Sequence, residues 1–254
     1  MAAPENLFKT ALRDSDTPLY GSWLSLADGP AAEMMGIAGF DWLLIDGEHA
    51  ANDIPTIRDQ LIALEASPSH AIVRVPVGET WIIKQVLDIG AQSVLVPMVE
   101  SGEQARDLVR ACTYPPAGNR GVGAAATRCS RFGSVPDYVG TADAQISLHV
   151  QVESRAGVEA LDDILAVEGL DGVFIGPADL AADMGHKGDS RVPEVHDTIL
   201  DVLRRTKAAG KAAGILCLDD RVPEYVEAGA RFVGVAIDVV TMMRAARETA
   251  QRWK

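Results

Sequence analysis

The strongest constraint on this chain is a repeated alternation of short apolar runs with amphipathic segments. The runs are LYGSWLSL (19–26), WLLID (42–46), AIVRVP (71–76), SVLVPMV (93–99), SLHVQVE (147–153), GVFIG (172–176), AAGILCL (212–218) and FVGVAI (232–237). Most are dominated by β-branched, aromatic or other apolar residues, as strands buried on both faces require. Between them lie helix-like stretches such as 53–66, 80–90, 101–112, 157–169, 193–210 and 221–230, several closed by a glycine that suits a helix C-terminus. Strand then helix, repeated eight times in 254 residues, predicts an α/β chain folded as one (β/α)8 TIM barrel domain over 1–254. An open doubly wound sheet is the alternative, but no G-x-G-x-x-G follows the first run. The longest irregular stretch, 114–140, is too rich in glycine and proline to be one helix, and its length suits a functional loop.

Composition narrows function by exclusion. No apolar stretch nears the roughly 18 to 20 residues of a membrane span, and the polar opening MAAPENLFKTALRDSD lacks a signal-peptide core, so a cytoplasmic protein is expected. Cys112, Cys129 and Cys217 are widely spaced and odd in number, which argues against disulfides and against a thiolate metal site. A net charge of −13 repels nucleic acid and anionic membranes. It also repels a small acidic substrate, so a site for one must supply local positive charge from a metal or an arginine.

In a barrel of this kind the chemistry sits where the strands end. The second run ends in Asp46, Glu48 and His49, the third carries Arg74, and the fourth is followed by Glu100. The fifth ends in Gln151 and Glu153, the sixth leads into Asp179 and the eighth into Asp238. Adjacent runs five and six can bring Glu153 and Asp179 to one point, and two carboxylates without cysteine or histidine partners suit a hard cation, Mg²⁺ or Mn²⁺. The remaining positions around such an ion accept the carboxylate and keto oxygens of a 2-oxo acid, whose enolate the ion stabilises. Arg74 would add a second positive group, His49 is the natural base or proton relay, and Asp46 would fix its tautomer. Pro177, at a helix start, leaves neighbouring backbone N–H groups for the substrate carboxylate. Glu100 and Asp238 are rival ligands on spacing alone. His70 and His149 read as structural, His186 and His196 as solvated, and the pairs Met34–Met35 and Met242–Met243 as helix packing. No lysine lies within a run, which argues against a Schiff-base mechanism.

Taken in order, FDWLLIDGEHA, IVRVP, IIKQVLDIGAQSVLVPMV, YPPAGNRGVG, VQVES and GVFIGPADLAADMG resemble the HpcH/HpaI aldolase family over nearly the whole chain. These are metal-dependent pyruvate aldolases with a barrel of the phosphoenolpyruvate/pyruvate type. Within the family the chain is most similar to the branch acting on 4-hydroxy-2-oxoheptanedioate, with branches acting on 2-keto-3-deoxy sugar acids beside it. The resemblance implies Glu153 and Asp179 as ligands of a divalent metal (Mg²⁺, Mn²⁺ or Co²⁺), His49 as acid/base oriented by Asp46, and Arg74 on the enolate oxygen. It implies Gln151 supporting a metal-bound water, a carboxylate-binding turn at Gly176, Pro177, Ala178 and Asp179, and Leu216 on the aldehyde side. It further implies a homo-hexamer with exchanged C-terminal helices, in which Asp88 and the Arg120 loop reach a neighbour's site. The implied reaction is reversible cleavage of a 4-hydroxy-2-oxo acid to pyruvate and an aldehyde. Decarboxylation of an oxaloacetate-type acid through the same enolate is the alternative.

Overall fold

Parallel strands need both faces covered, and the eight apolar runs achieve this by closing on themselves. The computed structural model describes residues 2–254. Strands β1 (Leu19–Leu24), β2 (Trp42–Asp46), β3 (His70–Arg74), β4 (Ser93–Val96), β5 (Ser147–Val152), β6 (Gly172–Ile175), β7 (Ala212–Leu216) and β8 (Ala230–Ile237) form a closed parallel barrel in chain order. The first half carries helices α1 (Leu7–Asp14), α2 (Gly29–Ile37), α3 (Ile54–Ala63), α4 (Thr80–Asp88), α5 (Gly102–Cys112) and α6 (Tyr138–Thr141). The second half carries α7 (Arg155–Glu159), α8 (Leu161–Leu165), α9 (Pro177–Asp183), α10 (Pro193–Ala208), α11 (Val222–Ala228) and α12 (Asp238–Arg252). The expected (β/α)8 barrel is therefore the fold.

Two elements depart from the sequence pattern. The stretch 157–169 divides into α7 and α8, because Ala160 leaves helical geometry at φ −86°, ψ 3° and a new segment turns Leu161, Ile164 and Leu165 into the core. Helix α1 arises from the polar opening, where the alternation gives no helix; Asn6 caps it by accepting a hydrogen bond from the Lys9 amide at 3.0 Å.

The barrel interior is aromatic. Trp23, Trp42, Phe174 and Phe232 fill it together with Leu44, Ile72 and Leu95, and Phe8 of α1 plugs the end where the strands begin. Gly21 has no side chain because a Cβ there would collide with the Trp42 ring. His149 belongs to this floor: it is fully buried, its Nε2 lies 2.9 Å from Ser147 Oγ, and burial pushes its pKa down to about 4. It is a neutral packing residue, as its mid-strand place predicts. His70, half-buried at the start of β3, is also pushed down by burial.

Outside the barrel, the opposite faces of the strands and the inner faces of the helices form a second, larger core. The irregular 114–140 stretch folds as 3₁₀ turns at Ala124–Ala126 and Arg128–Ser130 followed by α6, around Tyr114, Cys129 and Tyr138. No helix among the described residues is long and apolar enough to cross a membrane.

Phe8 stands edge-on to Phe232, with ring centroids 5.7 Å apart, and is 1% exposed. Phe8→Ala opens a void at the barrel floor and should lower stability by about 3 to 5 kcal/mol. Denaturant unfolding measures the loss, and the folded variant should keep an intact mouth at the other end.

Candidate active site

The ends of β2 and β3 are in direct register, with Asp46 opposite Arg74. Both side chains point into the barrel mouth and both are buried. Arg74 forks onto Asp46, Nε donating at 2.9 Å and Nη2 at 2.7 Å. Its Nη1 contacts Glu48 Oε2 at 2.7 Å and donates to Gln151 Oε1 at 3.3 Å. Trp23 closes the site from below, with the guanidinium 5.9 Å from its ring. Asp46 also accepts the backbone N–H groups of Glu48 at 3.0 Å and His49 at 3.3 Å, which folds the loop back over the strand end.

Gln151 continues the chain of contacts, its Nε2 donating to Glu153 Oε2 at 2.9 Å. The other Glu153 oxygen accepts the Met98 amide at 2.9 Å. Glu153 lies against the start of α9 so closely that a Cβ on Gly176 would collide with Oε2. Pro177 opens that helix and Asp179 stands in its first turn. Burial pushes the Glu153 carboxyl up to about 7, with the Met98 amide opposing the rise and the charges of Asp179 and Glu48 adding to it. Burial also raises Glu48, against the pull of Arg74 and His49. Three acids thus face one another across one opening.

The structure corrects several expectations. Asp46 does not orient the His49 ring: its oxygens go to Arg74 and two backbone amides. The nearest carboxylate to that ring is Glu48, at 3.9 Å from Nε2, and the His49 side chain is 66% exposed. The rival ligands are occupied elsewhere. Asp238 clasps β8 to β1 by accepting the amides of Ser25 and Leu26, and Glu100 accepts the Ser154 hydroxyl at 2.6 Å. Asp88 and Arg120 lie at the opposite end, 3.4 Å apart, with Arg120 fully buried and 4.4 Å from the Tyr114 ring centre. Expected at a neighbour's site rather than their own, they line nothing in this chain's own mouth. Leu216 ends β7 at the rim and packs on the barrel floor cluster. His186 and His196 are not simply solvated but pair with Glu194 at 3.2 Å and Glu224 at 3.1 Å. Met34, Met242 and Met243 are largely exposed rather than packed. A cavity of about 480 Å³ beside Phe8, His70 and Arg128 is also at the strand-start end, away from the carboxylates. The sequence placed Glu48 at a strand end without giving it a role, and it did not place Trp23 in the site at all. The crowding of acids in DGEH hinted at Glu48; nothing local marked Trp23.

Comparisons with known proteins identify the family. The family described as HpcH/HpaI aldolase/citrate lyase matches residues 19–245. The chain belongs to the HpcH/HpaI family. It is 56% identical over 255 residues to the hydroxypyruvate/pyruvate aldolase of Roseobacter denitrificans, covering 100% of this chain and 99% of that protein. It is 49% identical to the 4-hydroxy-2-oxo-heptane-1,7-dioate aldolase of Klebsiella pneumoniae, covering 98% of this chain and 94% of that one. Among solved structures, an HpcH/HpaI aldolase/citrate lyase family protein from Burkholderia cenocepacia superposes with a TM-score of 0.94 at 45% identity, over 97% of this chain and 98% of that chain. This HpcH/HpaI member is accordingly an aldolase, a carbon–carbon lyase.

The donor set fits a hard cation. Among the described residues no group of three or more His, Cys, Asp or Glu is placed to enclose an ion. What the mouth offers is the buried Glu153 carboxylate with Asp179 and Glu48 close enough to raise its pKa. Oxygen donors with open positions around them are what Mg²⁺ or Mn²⁺ takes when water and substrate complete its shell.

A cation on Glu153 must displace the proton that burial keeps there until about pH 7. Mn²⁺ affinity should therefore rise by up to about tenfold per pH unit below neutrality and level off above it. Calorimetry in buffers of different ionisation enthalpy should report proton release that fades above about pH 7. For the metal-free protein the sign is opposite: Glu153, raised from 4.5 to about 7, contributes stability at low pH that is lost as pH rises through that interval.

Proposed function

We propose that this aldolase cleaves a 4-hydroxy-2-oxo acid reversibly to pyruvate or hydroxypyruvate and an aldehyde, using a divalent ion held by Glu153 and Asp179. Mg²⁺ and Mn²⁺ suit that carboxylate pair best, with Co²⁺ a third candidate. The observation that carries the reading is the cluster of Glu153, Asp179 and Glu48 beside Arg74 at the barrel mouth, with a solvent-exposed histidine on its rim. When bound, the ion supplies positive charge to the substrate's keto oxygen as the enolate develops.

The chain's own groups do the rest. The Ala178 and Asp179 amides, in the turn that Gly176 and Pro177 open, donate to the substrate carboxylate; Pro177 has no N–H to give. Gln151 bridges Glu153 and Arg74, and the guanidinium beside that carboxylate would add positive charge near the enolate oxygen. His49 takes the proton of the 4-hydroxyl as the C3–C4 bond breaks, the bonding pair forms the enolate, and a proton returns to C3. Leu216 borders the aldehyde side.

The assembly is part of the same proposal. Beyond Asp238 no residue of α12 is fully buried, only Val239 and Thr241 are half-buried, and Val240, Met242, Met243 and the following Trp253 are exposed, which suits exchange of this helix in a homo-oligomer, a hexamer by resemblance. Asp88 of the partner subunit would then supply the carboxylate that the His49 ring lacks, with Arg120 of the partner subunit beside it.

His49→Ala should lower aldol cleavage by about 10² to 10⁴-fold and leave Mn²⁺ binding intact. Oxaloacetate decarboxylation removes no hydroxyl proton and should survive in the same variant; full aldol activity there would exclude His49 from the role. Proton NMR in D₂O should show exchange at the pyruvate methyl group with Mg²⁺ or Mn²⁺, abolished by chelator.

A further inference from the structure

Met98 sits in the left-handed region at φ 54°, an uncommon conformation for a residue with a side chain. It directly follows Pro97 at the C-terminal end of β4, and it is 49% exposed, so no burial of the thioether explains the backbone. The next residue rejoins the ladder, Val99 N–H donating to Gln151 O at 3.0 Å. The kink is therefore confined to one residue. Its effect is to aim the Met98 amide out of the ladder and onto Glu153 Oε1, at 2.9 Å. Strained residues of this kind persist where surrounding contacts over-determine them.

Gln104 supplies such contacts. It stands three residues after Ser101, the N-cap of α5, whose hydroxyl accepts the Gln104 amide at 3.1 Å. In a capping box the Gln side chain would return to the cap's own amide. Here it reaches further: Oε1 accepts the Glu100 amide at 2.9 Å, and Nε2 donates to the Met98 carbonyl at 3.2 Å. One amide side chain thus grips the backbone on both sides of the turn and holds the Met98 peptide in its strained orientation.

We propose that Gln104 is a positioning residue for the metal-binding carboxylate, acting through the Met98 amide to hold Glu153. The inference rests on the assignment of Glu153 as a ligand. Neither Gln104 nor the Met98 side chain touches the reacting atoms; both act on the rotamer of Glu153. Without the clamp, the Met98 peptide relaxes toward negative φ and its N–H leaves Glu153, which then rests on Gln151 alone.

The strain makes the idea testable by rescue. Glycine adopts positive φ about as readily as negative φ, so Met98→Gly removes the reason for the peptide to relax. The full-length chain, stripped of metal, is titrated with Mn²⁺ by calorimetry or by electron paramagnetic resonance of the free ion, alongside thermal unfolding. Gln104→Ala should weaken Mn²⁺ binding by about tenfold, the size of other losses beyond the direct ligands, with a nearly unchanged melting temperature. Met98→Gly should bind as the unaltered chain does, and the double variant Met98→Gly/Gln104→Ala should recover most of the loss. Equal affinity in Gln104→Ala, or no recovery in the double variant, would overturn the positioning role. Failure of the unaltered chain to bind Mn²⁺ would instead overturn the ligand assignment, and this inference with it.

Discussion

The fork between Arg74 and Asp46 is the interaction on which the mouth depends. A guanidinium buried to 6% exposure inside an apolar barrel needs a carboxylate, and leaving such a charge unpaired typically costs about 3 to 5 kcal/mol. The pairing is a property of register: β2 and β3 place the two residues directly opposite one another. Everything nearby hangs from it. Asp46 folds the Glu48–His49 loop through two amides, Arg74 holds Glu48 and Gln151, and Gln151 holds Glu153.

Charge gives that arrangement its chemical direction. The chain carries −13 overall, and its one buried cation at the mouth is matched locally by Asp46 and Glu48. Glu153 and Asp179 then add negative potential to the opening, and the burial of Glu153 together with the neighbouring acids raises its pKa. An anionic 2-oxo acid gains nothing from such a field. On the proposed reading, the positive charge that attracts it comes from a divalent cation, which would also relieve the repulsion among the acids.

The scaffold separates what is shared from what varies. The aromatic floor of Trp23, Trp42, Phe174 and Phe232 is buried, and the strand ends above it carry the groups assigned to enolate chemistry. On the proposed reading the aldehyde side falls to loops and the rim near Leu216, and relatives named for two different activities align with 98% or more of this chain. Fold and enolate chemistry can therefore be common while the second substrate differs.

Much of this was legible in the sequence, and the limit is physical. Apolar runs and helical periods report local burial, so the strands and the barrel could be read from the eight apolar runs, and polar strand ends from 42–46, 71–76 and 147–153. The plug at Phe8 could not, because its partners Phe232 and His149 lie far along the chain. Nor could the partner of Asp46: three residues from His49 in sequence, it pairs instead with Arg74, 28 residues on, since register outweighs proximity along the chain. The sequence marked which polar strand ends would gather at one end of a barrel. Only closure of the barrel decided which of them touch, because hydrogen-bond geometry, burial and the strained turn at Met98 exist only once strands distant in sequence are packed side by side.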